Sequence, residues 1–199
     1  VVSAAGLRQL RIDETEKYHH VTYFFSGGEE QQFSGEERIL VASPKVATYD
    51  EQPEMSAGEV TEKLLRSLDS EGAPEVVILN YANGVMVGHT GDLGAATAAM
   101  QTLDACMRKV IPAVLAKGGT VCVTADHGNC ELMVDQDTGK PHTAHTTNPV
   151  PFILVGDAFK GRQLKSGGRR CDIATTMIAR LGLQPSAAMD GVDLLEPAA

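Results

Sequence analysis

Residues 75–80 read Glu75-Val-Val-Ile-Leu-Asn80, an unbroken apolar run that gives way at once to a polar, glycine-rich loop, Tyr81 to Asp92. A strand with one wet face alternates apolar and polar residues, whereas a continuous run is what a strand covered on both faces shows. The pattern recurs at Thr120 to Ala125 (TVCVTA), followed by the long polar stretch Asp126 to Asn148, and again at Phe152 to Val155 (FILV). Between the first two runs lies an alanine-rich segment, Leu93 to Lys117, predicted as a helix that Pro112 kinks or restarts with a new turn and Gly118-Gly119 end. Strand, crossover helix and strand in succession predict an α/β fold, a mostly parallel sheet sandwiched by helices. In such sheets, sites gather at the carboxyl ends of the strands, so the loops 81–92 and 126–148 are where chemistry is expected.

Working outward, His20 to Phe25 (HVTYFF) and Arg38 to Val41 (RILV) are further strand candidates, the first punctuated by Gly27-Gly28. Ser56 followed by Glu59 has capping-box spacing, and Val60, Leu64, Leu65 and Leu68 behind it share one helical face. Asp172 to Leu181 is a helix that Gly182 stops. Without a repeat or a linker, residues 1–199 are expected to form a single domain.

The 43% hydrophobic and 22% charged composition is that of an ordinary globular chain. A net charge of −9, from 17 basic and 26 acidic side chains, argues against nucleic acid as a partner, since neutralising phosphates needs a basic surface. No apolar run approaches the roughly 18–20 residues needed to cross a bilayer, so no membrane role is expected. The amino terminus has no signal-peptide pattern and begins with Val1, which reads as a processed or truncated piece. Cys106, Cys122, Cys130 and Cys171 form no C-x-x-C pair and are expected as free thiols of a cytoplasmic protein.

Of six histidines, His89, His127, His142 and His145 fall in the two strand-end loops. Asp126-His127-Gly128-Asn129 directly follows a strand, with glycine permitting a sharp turn, so that a carboxylate and an imidazole reach one cation. Spacing alone does not choose between His142 and His145. Asn83 and Gly84 are read as shaping their loop, and His19 and His20 as structural.

The segments I-x-E-T-E-K-Y (Ile12 to Tyr18), H-V-T-Y-F-F-S-G-G (His20 to Gly28), S-P-K-V-A-T-Y-D (Ser43 to Asp50) and Q-P-E-M-S (Gln52 to Ser56) resemble the cofactor-independent phosphoglycerate mutase family. So do N-Y-A-N-G-x-M-V-G-H-T-G (Asn80 to Gly91), T-A-D-H-G-N (Thr124 to Asn129) and H-T-A-H-T-T-N-P-V-P (His142 to Pro151). The resemblance spans nearly the whole chain and implies an alkaline-phosphatase-like α/β fold. It also implies interconversion of 3-phosphoglycerate and 2-phosphoglycerate in glycolysis and gluconeogenesis, through a phosphoserine at a centre of two Mn2+ (or Mg2+) ions. By motif, Asp126 and His127 are implied ligands of the metal nearer the serine, His89 and His145 of the other. Lys17 is the implied phosphoryl contact, and His142 a residue of the loop or one that supports a ligand from behind.

Two departures stand out. The family loop reads N-G-D-M-V-G-H, its aspartate sharing a metal with His89; here that ligand position is Val85, which has no lone pair to offer. Asp92 is a remote substitute. The family's nucleophilic serine, its further aspartate ligand and its inserted substrate domain match nothing here, so the fold is expected to be incomplete at its amino-terminal side, with sheet edges exposed. The chain is thus expected to be part of a mutase, inactive alone, its phosphoglycerate chemistry requiring a missing half that a separate chain could supply. The alternative is a non-catalytic binding or interaction module that keeps the fold.

Overall fold

The computed structural model describes residues 1–197. Its organising strand is β1 (Gln9–Glu14), flanked in parallel by β2 (Glu36–Val41) and β3 (Val76–Leu79) in the order β2-β1-β3. β1 escapes the sequence reading because only Leu10 and Ile12 are apolar, yet all six of its residues are buried. Leu10 and Ile12 point into the main core with Val41, Val60, Leu64, Leu68 and Val110. That core joins β1 to α2 (Ala57–Asp69) and α4 (Leu93–Ala116), and each fully buried leucine or valine contributes about 1.5–3 kcal/mol. The opposite face of β1 carries Gln9, Arg11 and Asp13. It is covered by α1 (Tyr18–Val21) and the turns after it, where Arg11 lies 4.3 Å from the Phe25 ring centroid.

α1 corrects the strand expected over His20 to Phe25. Thr22 Oγ1 donates to the Tyr18 carbonyl at 2.8 Å, and Phe24 N to the His19 carbonyl at 2.9 Å, winding the segment into turns. Gly27 and Gly28 close them at positive φ, leaving Phe24 and Phe25 exposed. α2 begins where expected, but without the capping box: the Ser56 hydroxyl donates instead to the Ala42 carbonyl at 2.7 Å, tying the helix start to the end of β2.

The α/β class and a parallel sheet with helices against it are what the chain forms. β4 (Val121–Thr124) and β5 (Phe152–Val155), however, pair antiparallel in a second, two-stranded sheet. The double-sided burial expected of the apolar runs is only partial. β3 is half-buried throughout, Ile153 on β5 is 51% exposed, and among the described residues β3 pairs only with β1. α4 runs unbroken through Pro112. α5 (Arg170–Arg180) packs the last described segment through Thr176, whose hydroxyl accepts from Leu194 N at 2.9 Å. All four cysteines are free. Among the described residues no helix is long and apolar enough to cross a membrane.

A smaller apolar cluster positions the first loop of interest. Ala82 and Val87, on and beside α3 (Asn83–Gly88), pack with Ala96 and Ala99 of α4 and with Met55 and Met133. α3 is thereby clamped to α4, and His89 emerges at its end.

Candidate metal centre

Four segments meet at the carboxyl ends of the strands. His89 caps the end of α3, Asp126 and His127 follow β4, His145 lies on the return toward β5, and Lys17 ends the single 3-10 turn after β1. The Nε2 atoms of His89 and His145 stand 3.2 Å apart. His127 stacks on His145 with ring centroids 3.6 Å apart, and its Nε2 is 3.6 Å from Asp126 Oδ1.

Hydrogen bonds settle which nitrogens are free. A carbonyl only accepts, so His89 Nδ1–H donates to Thr143 O at 2.7 Å and His127 Nδ1–H to Gly128 O at 3.2 Å. In a neutral ring so bonded the lone pair sits on Nε2, which faces His145 from His89 and Asp126 from His127. Two imidazoles on one tetrahedral cation, with bonds of about 2.0–2.1 Å, place their nitrogens about 3.3 Å apart. The His89–His145 separation fits that requirement, and Asp126 with His127 forms a second mixed oxygen–nitrogen pair suited to Mn or Zn.

Among the described residues, no group of three His, Cys, Asp or Glu side chains is arranged to hold a metal ion. The position to which the family resemblance assigns a carboxylate ligand is Val85 here, four residues before His89 and one helical turn away on α3, and its side chain offers no lone pair. Asp92 does not replace it: its Oδ1 accepts from Ala95 N at 2.7 Å and caps α4.

The electrostatics favour an unprotonated His145. Desolvation, then the charges of His127, His89 and Lys17, hold His145 below the ordinary imidazole range, which also puts Lys17 within reach of the cluster. His20, which the sequence assigned a structural part, is likewise lowered, by burial and then by Lys17, and it feels both Asp126 and His127. The His142 backbone N–H donates to Met133 O at 2.9 Å. Asn83 is fully buried and donates to Pro53 O at 2.8 Å, holding the loop as expected.

The residues that join these loops were not legible in the sequence. Asn129 fills the space beside Gly88, where any Cβ would overlap its carboxamide, and Cys130 Sγ donates to Gly84 O at 2.7 Å. Glu131 Oε2 accepts from Asn129 N at 2.6 Å, while Oε1 accepts from Thr146 Oγ1 and, at 3.0 Å, from Asn148 Nδ2. Although desolvation pushes its carboxyl up, these hydrogen bonds outweigh it and hold Glu131 below the usual range. The Arg170 guanidinium donates to Asp126 O at 2.9 Å, anchoring that turn to α5. The available signal was glycine itself, Gly88 and Gly128 standing directly beside His89 and His127.

The metalloenzyme superfamily family model matches residues 1–185. The 2,3-bisphosphoglycerate-independent phosphoglycerate mutase of Chromobacterium violaceum is 54% identical over 195 residues, covering 98% of this chain and 38% of the relative. That of Chloroflexus aurantiacus is 53% identical over 198 residues, covering 98% of this chain and 36% of its own length. A crystal structure of Leishmania mexicana phosphoglycerate mutase, determined at low cobalt concentration, superposes with a TM-score of 0.90 at 30% identity. It covers 99% of this chain and 38% of that one. The chain thus spans somewhat more than a third of the length of the relatives it matches.

Proposed function

As a member of the metalloenzyme superfamily, the chain carries a metal-binding scaffold, and we propose that it is the carboxyl-terminal, metal-holding part of a phosphoglycerate mutase interconverting 3-phosphoglycerate and 2-phosphoglycerate. The observation that carries this reading is the facing of His89 Nε2 and His145 Nε2 at 3.2 Å, with His127 stacked behind and Asp126 beside it.

In this reading Asp126 and His127 would hold one divalent ion and His89 with His145 the other, Mn2+ being an ion that such mixed carboxylate and imidazole ligands accommodate. When bound, such a pair supplies charge stabilisation for a transferring phosphoryl group and lowers the pKa of an attacking hydroxyl. The protein's own contribution is orientation. Thr143 O and Gly128 O fix the tautomers of His89 and His127. Lys17 contributes a flexible point charge to the phosphoryl group of the substrate. The serine that carries the phosphoryl group, and the groups that bind the glycerate, belong to the remainder of the protein, on this chain or a companion chain, working in cytoplasmic glycolysis and gluconeogenesis.

Val85 favours a second reading, a non-catalytic module that keeps the fold, because it leaves the His89–His145 pair without a carboxylate. Titration calorimetry with Mn2+ separates the two. Binding of Mn2+ by the 199-residue chain, weaker at the His89–His145 pair, with no turnover of 3-phosphoglycerate until the remainder is supplied, supports the mutase part. No Mn2+ binding at either pair supports the module. Turnover of 3-phosphoglycerate by the chain alone contradicts both.

A further inference from the structure

Glu131 forms no ion pair with any Lys, Arg or His among the described residues; its oxygens are taken up by three neutral donors from two loops. One donor, the Asn129 amide, lies two residues after His127; the other two, Thr146 and Asn148, lie one and three residues after His145. Beside this carboxylate Thr146 N donates to Gly128 O at 2.9 Å, forming the one-rung bridge between the loops. A Cβ at Gly128 would overlap both Thr146 Oγ1 and Glu131 Oε1, so the three groups are packed without slack. The residues immediately following the two stacked histidines are therefore fastened to each other, and the carboxylate is the fastening.

We propose that Glu131 is a positioning residue that holds the His127 and His145 rings in their stacked, inward-facing arrangement and so presets both halves of the metal centre. This rests on the metal-binding reading above. An exposed glutamate without a cationic partner has no other evident use here, and its contacts converge on the two loops that carry His127 and His145. A charged acceptor makes shorter and stronger hydrogen bonds than a neutral one, which suits it to holding the two histidine-bearing segments in register. Outer-shell groups of this kind set ligand orientation rather than bind the ion.

The test uses the full chain with labelled histidines, as the unaltered protein, Glu131→Gln, Thr146→Val and Thr146→Ser. One readout is the nuclear Overhauser contact between the His127 and His145 rings without metal, the other the Co2+ affinity followed by visible absorption. Glu131→Gln and Thr146→Val are expected to lose the ring contact and to weaken Co2+ binding about 10- to 100-fold, while Thr146→Ser retains both. Should Glu131→Gln fail to fold, Thr146→Val carries the comparison. Retention of the ring contact, or of the unaltered affinity, in the variants that lack the latch overturns the proposal. If the unaltered chain takes up no Co2+, the metal reading fails, and the ring contact alone decides whether Glu131 positions the histidines.

Discussion

His89 and His145 face each other Nε2 to Nε2 at 3.2 Å across 56 residues of chain. Nothing in the packing requires this, since His145 is exposed and contributes little apolar burial. A substitution there is a surface change, worth within about 0.5 kcal/mol of stability. His145→Ala is accordingly expected to leave thermal unfolding unchanged while lowering Mn2+ affinity at least about tenfold, the ordinary consequence of disturbing a metal site. Calorimetric titration beside a melting curve measures both. A large drop in melting temperature with unaltered Mn2+ binding would make the pair a packing contact.

Val85 is the third residue of α3, one turn ahead of His89. Val85→Asp is expected to raise metal affinity at the His89 side, because a carboxylate supplies the missing lone pair and offsets the charge of a dication. The helix tolerates it: an acidic side chain in the first turn interacts favourably with the helix dipole, by about 0.3–1 kcal/mol. An added tight Mn2+ equivalent in the titration is the expected result. Identical isotherms for the two proteins would remove position 85 from the site.

How much of this was legible depended on the kind of signal. EVVILN, TVCVTA and FILV announced strands because apolar runs are local, and α4 announced itself by length and alanine content. That β4 and β5 run antiparallel depends on pairing between distant segments, which no run of residues records. β1 was hidden because burial of Arg11 and Asp13 is paid by tertiary partners, Val21 O and Asn80 among them. HVTYFF has the composition of a strand but coils into turns, since Gly27 and Gly28 adopt left-handed φ and Thr22 bonds back to Tyr18. His89, Asp126, His127 and His145 were found through their placement after strands and their motifs. Glu131 and Asn129 were not, because hydrogen bonds between loops leave no periodic trace.

Gly88 and Gly84 share α3 but meet different surroundings. A Cβ at Gly88 overlaps the Asn129 carboxamide and comes within 3.1 Å of Cys130 Sγ, whereas at Gly84 the nearest atom is Met100 Sδ at 4.0 Å. Gly88→Ala is expected to destabilise by about 1–3 kcal/mol, the usual cost of overpacking, and to weaken metal binding by displacing Asn129. Gly84→Ala is expected to be neutral or to stabilise by up to about 1 kcal/mol through helix propensity. Chemical denaturation of the two variants makes the comparison; equal effects would mean that Asn129 does not depend on the bare Gly88 backbone.

Asp13 is wholly buried on β1, and desolvation raises its carboxyl to about 7, against hydrogen bonds from Asn80 Nδ2 at 2.9 Å and Glu14 N at 2.7 Å that pull it down. In the unfolded chain the same carboxyl titrates near its ordinary value of 3.8. Between those values the folded protein keeps a proton that the unfolded chain has released, so raising the pH through this window favours unfolding. The contribution is fully present below about pH 4 and is lost by the time the pH has passed about 7. A shift of this size corresponds to about 4 kcal/mol, near 1.4 kcal/mol per pH unit. Asp13→Asn keeps an acceptor for Asn80 and removes the titration, so its stability relative to the unaltered chain is expected to rise steadily from pH 4 to pH 7 and then level off. Denaturant midpoints for the two proteins at each pH measure the difference directly, cancelling the titration of the histidines that both retain. Parallel profiles would mean that Asp13 stays ionised in the fold, with Lys17 and Asn80 compensating its burial.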